Sequence, residues 1–211
     1  MKALRVCKTS PRLSTALVAG QLKTTFLTVL ALGLLTIGSR AAVAQDVFQV
    51  NYFSNANTSG APDGTLRITN PGLTYGNLCA LIYVFDADQQ LSECCGCVQS
   101  RDGLRTLSVN KDLTSNPLTG VKSTNGVVEI VSARFLPPDP CEPATADPEA
   151  NLRAFMTHPT EYPIPVPWIV LETESSTSTL GAEELTALQG QCAFIKILGS
   201  GQGICTCGTG D

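Results

Sequence analysis

Apolar and polar residues alternate with a period of two along much of the chain after residue 45. This period is typical of half-buried β-strands, because successive side chains of a strand point to opposite faces. The first example is Phe48, Val50 and Tyr52, which alternate with Gln49 and Asn51. Six further segments have strand-like patterns, at 66–69, 78–85, 104–109, 127–132, 152–158 and 168–173.

The segment 78–85 (LCALIYVF) is apolar at every position, as expected for a central strand that is buried on both faces. Polar connections rich in Asn, Gly and Pro separate the strand-like segments. Short strands joined by such turns are typical of sandwiches and barrels. The pattern therefore predicts an all-β fold, a mostly antiparallel β-sandwich of seven to eight strands.

One segment near the C-terminus has helical spacing instead. Gly181 stands at an N-cap position with Glu184 three residues later, and Gly199 stands where a helix would end. Four residues fall on one face at spacings of three and four: Leu185, Leu188, Cys192 and Ile195. The pattern predicts one C-terminal α-helix over 182–198, followed by a Gly- and Cys-rich tail at 199–211.

The first 44 residues have the three zones of an export signal. A basic region holds Lys2, Arg5, Lys8, Arg12 and Lys23, an apolar run follows at 25–38, and small residues precede Gln45. The alternative is a membrane anchor, which needs about 20 apolar residues, more than this run offers. We expect cleavage after Ala44, which leaves a single secreted domain over 45–211 and no stable membrane insertion.

Removal of the signal makes the chain acidic. Six of the 14 Lys and Arg residues lie in 1–44 and all 18 Asp and Glu residues lie after it, so eight basic residues give residues 45–211 a formal charge of minus 10. Nucleic acids and anionic membranes are bound through dense basic patches, which this segment lacks. We therefore expect a secreted, extracellular protein, with a periplasmic or surface-associated location as the alternatives.

Eight of the nine cysteines lie in the segment 45–211. They are Cys79, Cys94, Cys95, Cys97, Cys141, Cys192, Cys205 and Cys207. An even number of cysteines in an exported chain predicts disulfides, although eight cysteines allow 105 pairings. The alternative is a metal or redox protein that uses the clusters CCxC at 94–97 and CxC at 205–207, which requires the clusters to meet with unbridged sulfurs. We predict four disulfides, no metal and no cofactor.

Residues that could carry catalysis are few. His158 is the only histidine and is expected to end a strand before Pro159, where a structural role is the simpler interpretation. A carboxylate-dependent hydrolase of extracellular polymer would need two convergent acids, with Glu129, Glu172 and Glu174 as candidates. Glu129 lies within an apolar strand, so it is the acid whose pKa we expect to be raised.

Several linked motifs resemble those of a group of uncharacterised secreted bacterial proteins rich in cysteine. The motifs are NPG at 70–72, LCALIYVFDADQQLSECCGC at 78–97, DGLRTLSVNKDLTSNPLTG at 102–120, the helix pattern AEELxxLxxxCxFI at 182–195 and GSGQGICTCG at 199–208. The resemblance implies a bacterial, exported, single-domain product in which both cysteine clusters are part of the fold. It implies no activity.

These observations favour an exported structural or binding module without catalytic activity. The expected partner is a protein or polysaccharide at the cell surface, and self-association is a further option; no nucleic-acid partner is expected. The hydrolase and the metal or redox protein stay as the two alternatives. Fold class does not choose among them, because sandwiches carry many unrelated functions.

Overall fold

The computed structural model describes residues 47–74, 76–115, 120–136, 141–145, 147–163 and 167–197, together with Cys205 and Cys207. The predicted export signal at 1–44 and most of the tail at 199–211 therefore lie outside the described residues. All described elements belong to one compact unit that spans Ala42–Asp211.

The described elements are nine strands, one α-helix and a short π-helical turn at Val109–Leu113. The strands are β1 (Phe48–Phe53), β2 (Thr65–Thr69), β3 (Leu78–Asp86), β4 (Leu91–Gln99), β5 (Leu104–Ser108), β6 (Gly126–Arg134), β7 (Arg153–Glu161), β8 (Trp168–Glu174) and β9 (Ser176–Ser178). The helix α1 spans Ala182–Ile195.

The strands form two antiparallel sheets that pack as a sandwich. Sheet A has the order β4-β3-β6-β1-β9 and sheet B the order β5-β2-β7-β8. The main core contains residues from both sheets, such as Ile82 and Ile130 of sheet A and Leu66, Ile68 and Met156 of sheet B, all fully buried. The predicted β-sandwich with one C-terminal helix and disulfides is confirmed.

The second face of sheet A is also covered. In β3, Leu78, Ala80, Ile82 and Val84 point into the core between the sheets, whereas Cys79, Leu81 and Tyr83 point into a second core. That second core includes Leu188 and Cys192 of α1 and Cys141 of the loop after β6. The two-sided burial explains why β3 is apolar throughout, as the sequence pattern indicated.

Two sequence expectations are corrected by the structure. The described residues form nine strands rather than seven or eight, because β4, which contains the CCxC cluster, and the short β9 were not predicted. The helix α1 is followed by a π-helical turn at 196–197, and its predicted end at residue 198 lies outside the described residues. The strand β7 continues through His158 and Pro159 to Glu161, and Pro159 fits there because at that point β7 pairs with β8 alone.

Candidate functional site

The cysteines of β4 alternate between the two cores. Cys95 and Cys97 lie in the core between the sheets, and Cys94 lies in the core beneath α1. Strand geometry causes this division, because residues i and i+2 share a face and residue i+1 points the other way. The sequence CCxC therefore places one sulfur toward the helix and two sulfurs toward the tail.

All eight predicted cysteines lie in disulfides. The pairs are Cys79–Cys141, Cys94–Cys192, Cys95–Cys205 and Cys97–Cys207. They connect the loop after β6 to β3, the helix to β4, and the tail to β4. Their sequence separations run from 62 to 110 residues, and loops of this length correspond to about 4 to 5 kcal/mol per bridge in the chain-entropy model. Four disulfides indicate an oxidising environment.

The CCxC and CxC clusters meet in space, as a metal or redox site requires. The sulfurs of Cys95, Cys97 and Cys207 lie within 4.8 Å of one another. In the structure, however, these sulfurs are bridged, so none of them is a thiolate that could bind a metal ion. In the oxidised protein these three sulfurs are therefore close enough for a metal site, but as disulfide sulfurs they cannot serve as thiolate ligands.

Arg105 of β5 lies beside this sulfur cluster and was not singled out in the sequence. Its Nη1 donates to the carbonyl oxygen of Cys207, and its Nη2 donates to the carbonyl oxygen of Val98 at 2.9 Å. Its Nε is buried without a hydrogen-bond partner among the described residues. Arg105 is paired in register with buried Ile68, so it lies at an inward position of β5. A basic residue at an inward position of a predicted strand was the sequence signal that could have identified it.

Glu129 of β6 lies in the middle of sheet A, on the face toward α1. It is in register with Val50 of β1 and Tyr83 of β3, and one of its carboxylate oxygens, Oε2, is buried without a hydrogen-bond partner among the described residues. Burial, together with the negative charge of Glu184 on α1, raises the pKa of Glu129 to about 7. This agrees with the expectation from its apolar strand.

The loop that follows β6 fixes Tyr83, the neighbour of Glu129 on β3, and carries a second acid, Glu142. The hydroxyl of Tyr83 donates to the carbonyl oxygen of Pro143 at 2.8 Å, and burial, Glu142 and Glu129 raise the pKa of Tyr83. Burial alone would raise the pKa of Glu142, but its bonds to Lys196 and to the backbone N–H of Ala144 lower it overall. Glu142 is therefore held as a carboxylate at neutral pH.

The three acids proposed for a hydrolase do not converge. Glu129 lies on sheet A, whereas Glu172 and Glu174 lie on β8 of sheet B and form ion pairs with Arg67 and Arg153. A shallow apolar groove of about 300 Å³ contains none of the three, since it is lined by Leu91, Gly190, Gln191, Phe194 and Ile195. These three residues therefore offer no catalytic pair of the kind that glycosidases use.

His158, on β7 of sheet B, is held by neighbours from both sheets, Thr173 of β8 and Tyr52 of β1. Its Nε2 lies 2.7 Å from the hydroxyl oxygen of Thr173, and its ring stacks on Tyr52 with ring centroids 4.3 Å apart. Burial lowers its pKa, and Nδ1 has no hydrogen-bond partner among the described residues. No carboxylate orients the ring, so the third member of a Ser-His-Asp type of triad is missing in the described part of the chain.

The strand β8 is an edge of sheet B, paired on one side with β7. Three consecutive aliphatic residues of this strand are exposed: Ile169 by 37%, Val170 by 47% and Leu171 by 58%. The sequence pattern did not indicate this exposure, because an apolar run is expected to be buried. Edge strands of this kind are templates for pairing with another chain.

Within the described residues, no helix is long and apolar enough to span a bilayer. Comparison of the chain with protein-family models, with curated proteins and with solved structures finds no match.

Proposed function

We propose that this protein is an exported structural and binding module without catalytic activity, and that β8 is its contact surface. The observation that carries the proposal is the edge of β8 with which no other described strand pairs, together with its three exposed aliphatic residues. Export is supported by the signal-like pattern of residues 1–44 and by the four disulfides, which persist in oxidising compartments.

The sequence of β8 lacks the features that normally prevent edge pairing. Its seven residues, WIVLETE, include no proline, glycine or lysine, and its pairing with β7 runs in continuous register. Natural edge strands usually carry such residues or a bulge to block the association of sheets. An edge that keeps seven regular residues is therefore suited to pairing.

The two acidic residues of β8 are neutralised by the neighbouring strands. Glu172 forms an ion pair with Arg67 of β2, and Glu174 forms one with Arg153 of β7, with 2.9 Å between Nη1 and Oε1. Repulsion between carboxylates of two approaching edges is reduced when each carboxylate already has a cationic partner. The charges of β8 thus do not protect this edge.

The occupant that we propose is a second copy of this chain, paired antiparallel through β8. Pairing centred on Leu171 places Val170 opposite Glu172 and Trp168 opposite Glu174, so no carboxylate faces another carboxylate. The two sheets B then form one continuous eight-stranded sheet with a two-fold axis at Leu171. The contact between the two copies of Leu171 on the two-fold axis, together with shared backbone hydrogen bonds, would stabilise this pair.

The test is the oligomeric state of the secreted, oxidised protein. Sedimentation at increasing concentration should show a dimer for the wild type and a monomer for Leu171→Lys. The matched control is Leu104→Lys, because Leu104 is similarly exposed, at 56%, on β5, the opposite edge of the same sheet. This control should remain dimeric.

A wild-type protein that stays monomeric at all concentrations would reject the second copy as the occupant. Loss of the dimer in both lysine variants would point to a general effect of added charge rather than to β8. Binding of a different extended peptide to a monomeric wild type, blocked by Leu171→Lys, would retain β8 as a binding edge but would overturn the choice of partner.

A further inference from the structure

The two disulfides between β4 and the tail form one sulfur cluster. Cys95 is bonded to Cys205 and Cys97 to Cys207, each with a sequence separation of 110 residues, so the tail follows β4 in a fixed register. The Cα atoms are 5.2 Å apart in the first pair and 5.4 Å apart in the second. Because Cys205 is bonded to Cys95, all four sulfurs occupy one site.

The distances in this cluster suit a metal ion once the sulfurs are reduced. A Zn²⁺ ion bound by four thiolates has Zn–S bonds of about 2.3 Å, which places the sulfurs about 3.8 Å apart in a tetrahedron. Three of the four sulfurs, those of Cys95, Cys97 and Cys207, already lie within 4.8 Å of one another. The fourth sulfur, of Cys205, is bonded to that of Cys95 and joins the set by side-chain rotation after reduction.

One cationic side chain, that of Arg105, lies beside the cluster. The guanidinium of Arg105 is hydrogen-bonded to the carbonyl oxygen of Cys207, the residue that carries one of the sulfurs. A nearby cation lowers the pKa of a thiol and offsets the charge of a metal site with four thiolates. Its Nε is a buried donor without a hydrogen-bond partner among the described residues.

The cluster also has an accessible point of entry. Cys207 is partly exposed, whereas Cys95, Cys97 and Cys205 are exposed by no more than 2%. A reductant therefore reaches the Cys97–Cys207 disulfide first. The released sulfurs of Cys97 and Cys207 then lie within 4.8 Å of the sulfur of Cys95, a distance from which a thiolate can attack the second disulfide after a small movement.

We propose that Cys95, Cys97, Cys205 and Cys207 form a reducible site that binds one Zn²⁺ ion in the reduced protein. Each of the two disulfides accepts two electrons and two protons from a dithiol, which becomes a cyclic disulfide. The four thiols then release four protons as they bind the metal ion, leaving a site of net charge minus 2. The oxidised form holds the tail through disulfides, and the reduced form holds it through the metal.

The test uses Co²⁺ as a spectroscopic probe for Zn²⁺. The protein is reduced with a dithiol under anaerobic conditions, the dithiol is removed by gel filtration, and Co²⁺ is titrated. We expect one Co²⁺ per chain with the intense visible absorption of a tetrahedral thiolate site, and loss of that absorption on addition of one equivalent of Zn²⁺. Absence of this absorption would overturn the proposal.

The variants separate this site from the other cysteines. The double variant Cys97→Ser/Cys207→Ser should lose the tetrahedral spectrum, and Cys79→Ser/Cys141→Ser should keep it. Equal spectra in the two variants would contradict the assignment.

A second measurement does not depend on the folding of a variant. In the reduced wild type, Zn²⁺ should protect four thiols from alkylation, and peptide mapping should locate them at Cys95, Cys97, Cys205 and Cys207. Protection of a different set, or of none, would refute the proposal.

Discussion

The replacement Glu129→Gln should make the protein more stable at pH 8 but not at pH 4. The pKa of Glu129 is raised from its ordinary value of 4.5 to about 7, by burial and by the charge of Glu184. Below pH 4.5 the carboxyl is protonated in both the folded and the unfolded chain and contributes no difference. Between pH 4.5 and 7 the unfolded chain ionises first, so the folded chain binds more protons and the free energy of unfolding falls as pH rises.

The size of the effect follows from the same pKa. Each unit by which folding raises a carboxyl pKa costs about 1.4 kcal/mol of stability once the group is ionised. The rise from 4.5 to about 7 therefore sets an upper limit of about 3 kcal/mol on the stability lost above pH 7. Glu129 is only partly buried, and screening by solvent reduces this limit to about 1 to 2 kcal/mol. Glutamine has nearly the same shape and no charge, so it removes this cost.

The assay is urea unfolding of the disulfide-intact protein at pH 4, 6 and 8. The difference in unfolding free energy between Glu129→Gln and the wild type should be near zero at pH 4 and should grow to about 1 to 2 kcal/mol at pH 8. Both proteins share all other titrating groups. The charge of Glu129 helps to raise the pKa of Tyr83, but the Tyr83 hydroxyl is protonated from pH 4 to 8 with or without that charge, so the difference reports on Glu129. A difference that is the same at all three pH values would refute the reasoning.

Two variants of α1 test the second cause of the shift. Glu183 and Glu184 are neighbours in the first turn of the helix, where both interact favourably with the helix dipole. Of these two residues, only Glu184 contributes to the raised pKa of Glu129. Glu184→Gln should therefore lower the midpoint of the pH dependence, and Glu183→Gln should leave it unchanged. Equal shifts in both variants would contradict a direct interaction between Glu184 and Glu129.

Further substitutions test the packing around the disulfides and the core. Gly96→Ala should be strongly destabilising and should impair closure of the Cys79–Cys141 bridge, because a Cβ at this position would overlap the carbonyl oxygen of Cys141. Gly190→Ala, on an open face of α1, should instead stabilise the protein by up to about 1 kcal/mol, and thermal unfolding of both variants compares them. Ile82→Ala should cost about 2 to 5 kcal/mol in urea unfolding, since Ile82 is fully buried between the sheets, and a cost below 1 kcal/mol would contradict that packing.

The parts of the fold that follow from local patterns could be predicted from the sequence. The segment 78–85 is apolar throughout, and β3 is buried on both faces. Such a run can be recognised as a buried strand without knowing which strands lie beside it. The helix was recognised from the spacing of Leu185, Leu188, Cys192 and Ile195, of which all but Leu185 are buried in α1. Its predicted end at residue 198 lies outside the described residues, which show a π-helical turn at 196–197 after the α-helix.

The strand β4 was missed because its sequence, LSECCGCVQ, is dominated by cysteines. In the structure the cysteines act as small apolar residues on the two faces of the strand, and Gly96 allows the chain at Cys141 to approach closely. The disulfide pairing could not be predicted, because it depends on which elements become neighbours in space. The exposure of β8 could not be predicted either, because it depends on the order of the strands, which places β8 at an edge of sheet B.

The most direct test of the account is the intact mass of the protein collected from the medium of its own host, with and without an alkylating reagent under non-reducing conditions. The account predicts a chain that begins at Gln45 and gains no mass from the reagent, because all eight cysteines at 79–207 are bridged. Recovery of a chain that retains residues 1–44, or alkylation of any of these cysteines, would contradict an exported, disulfide-closed module.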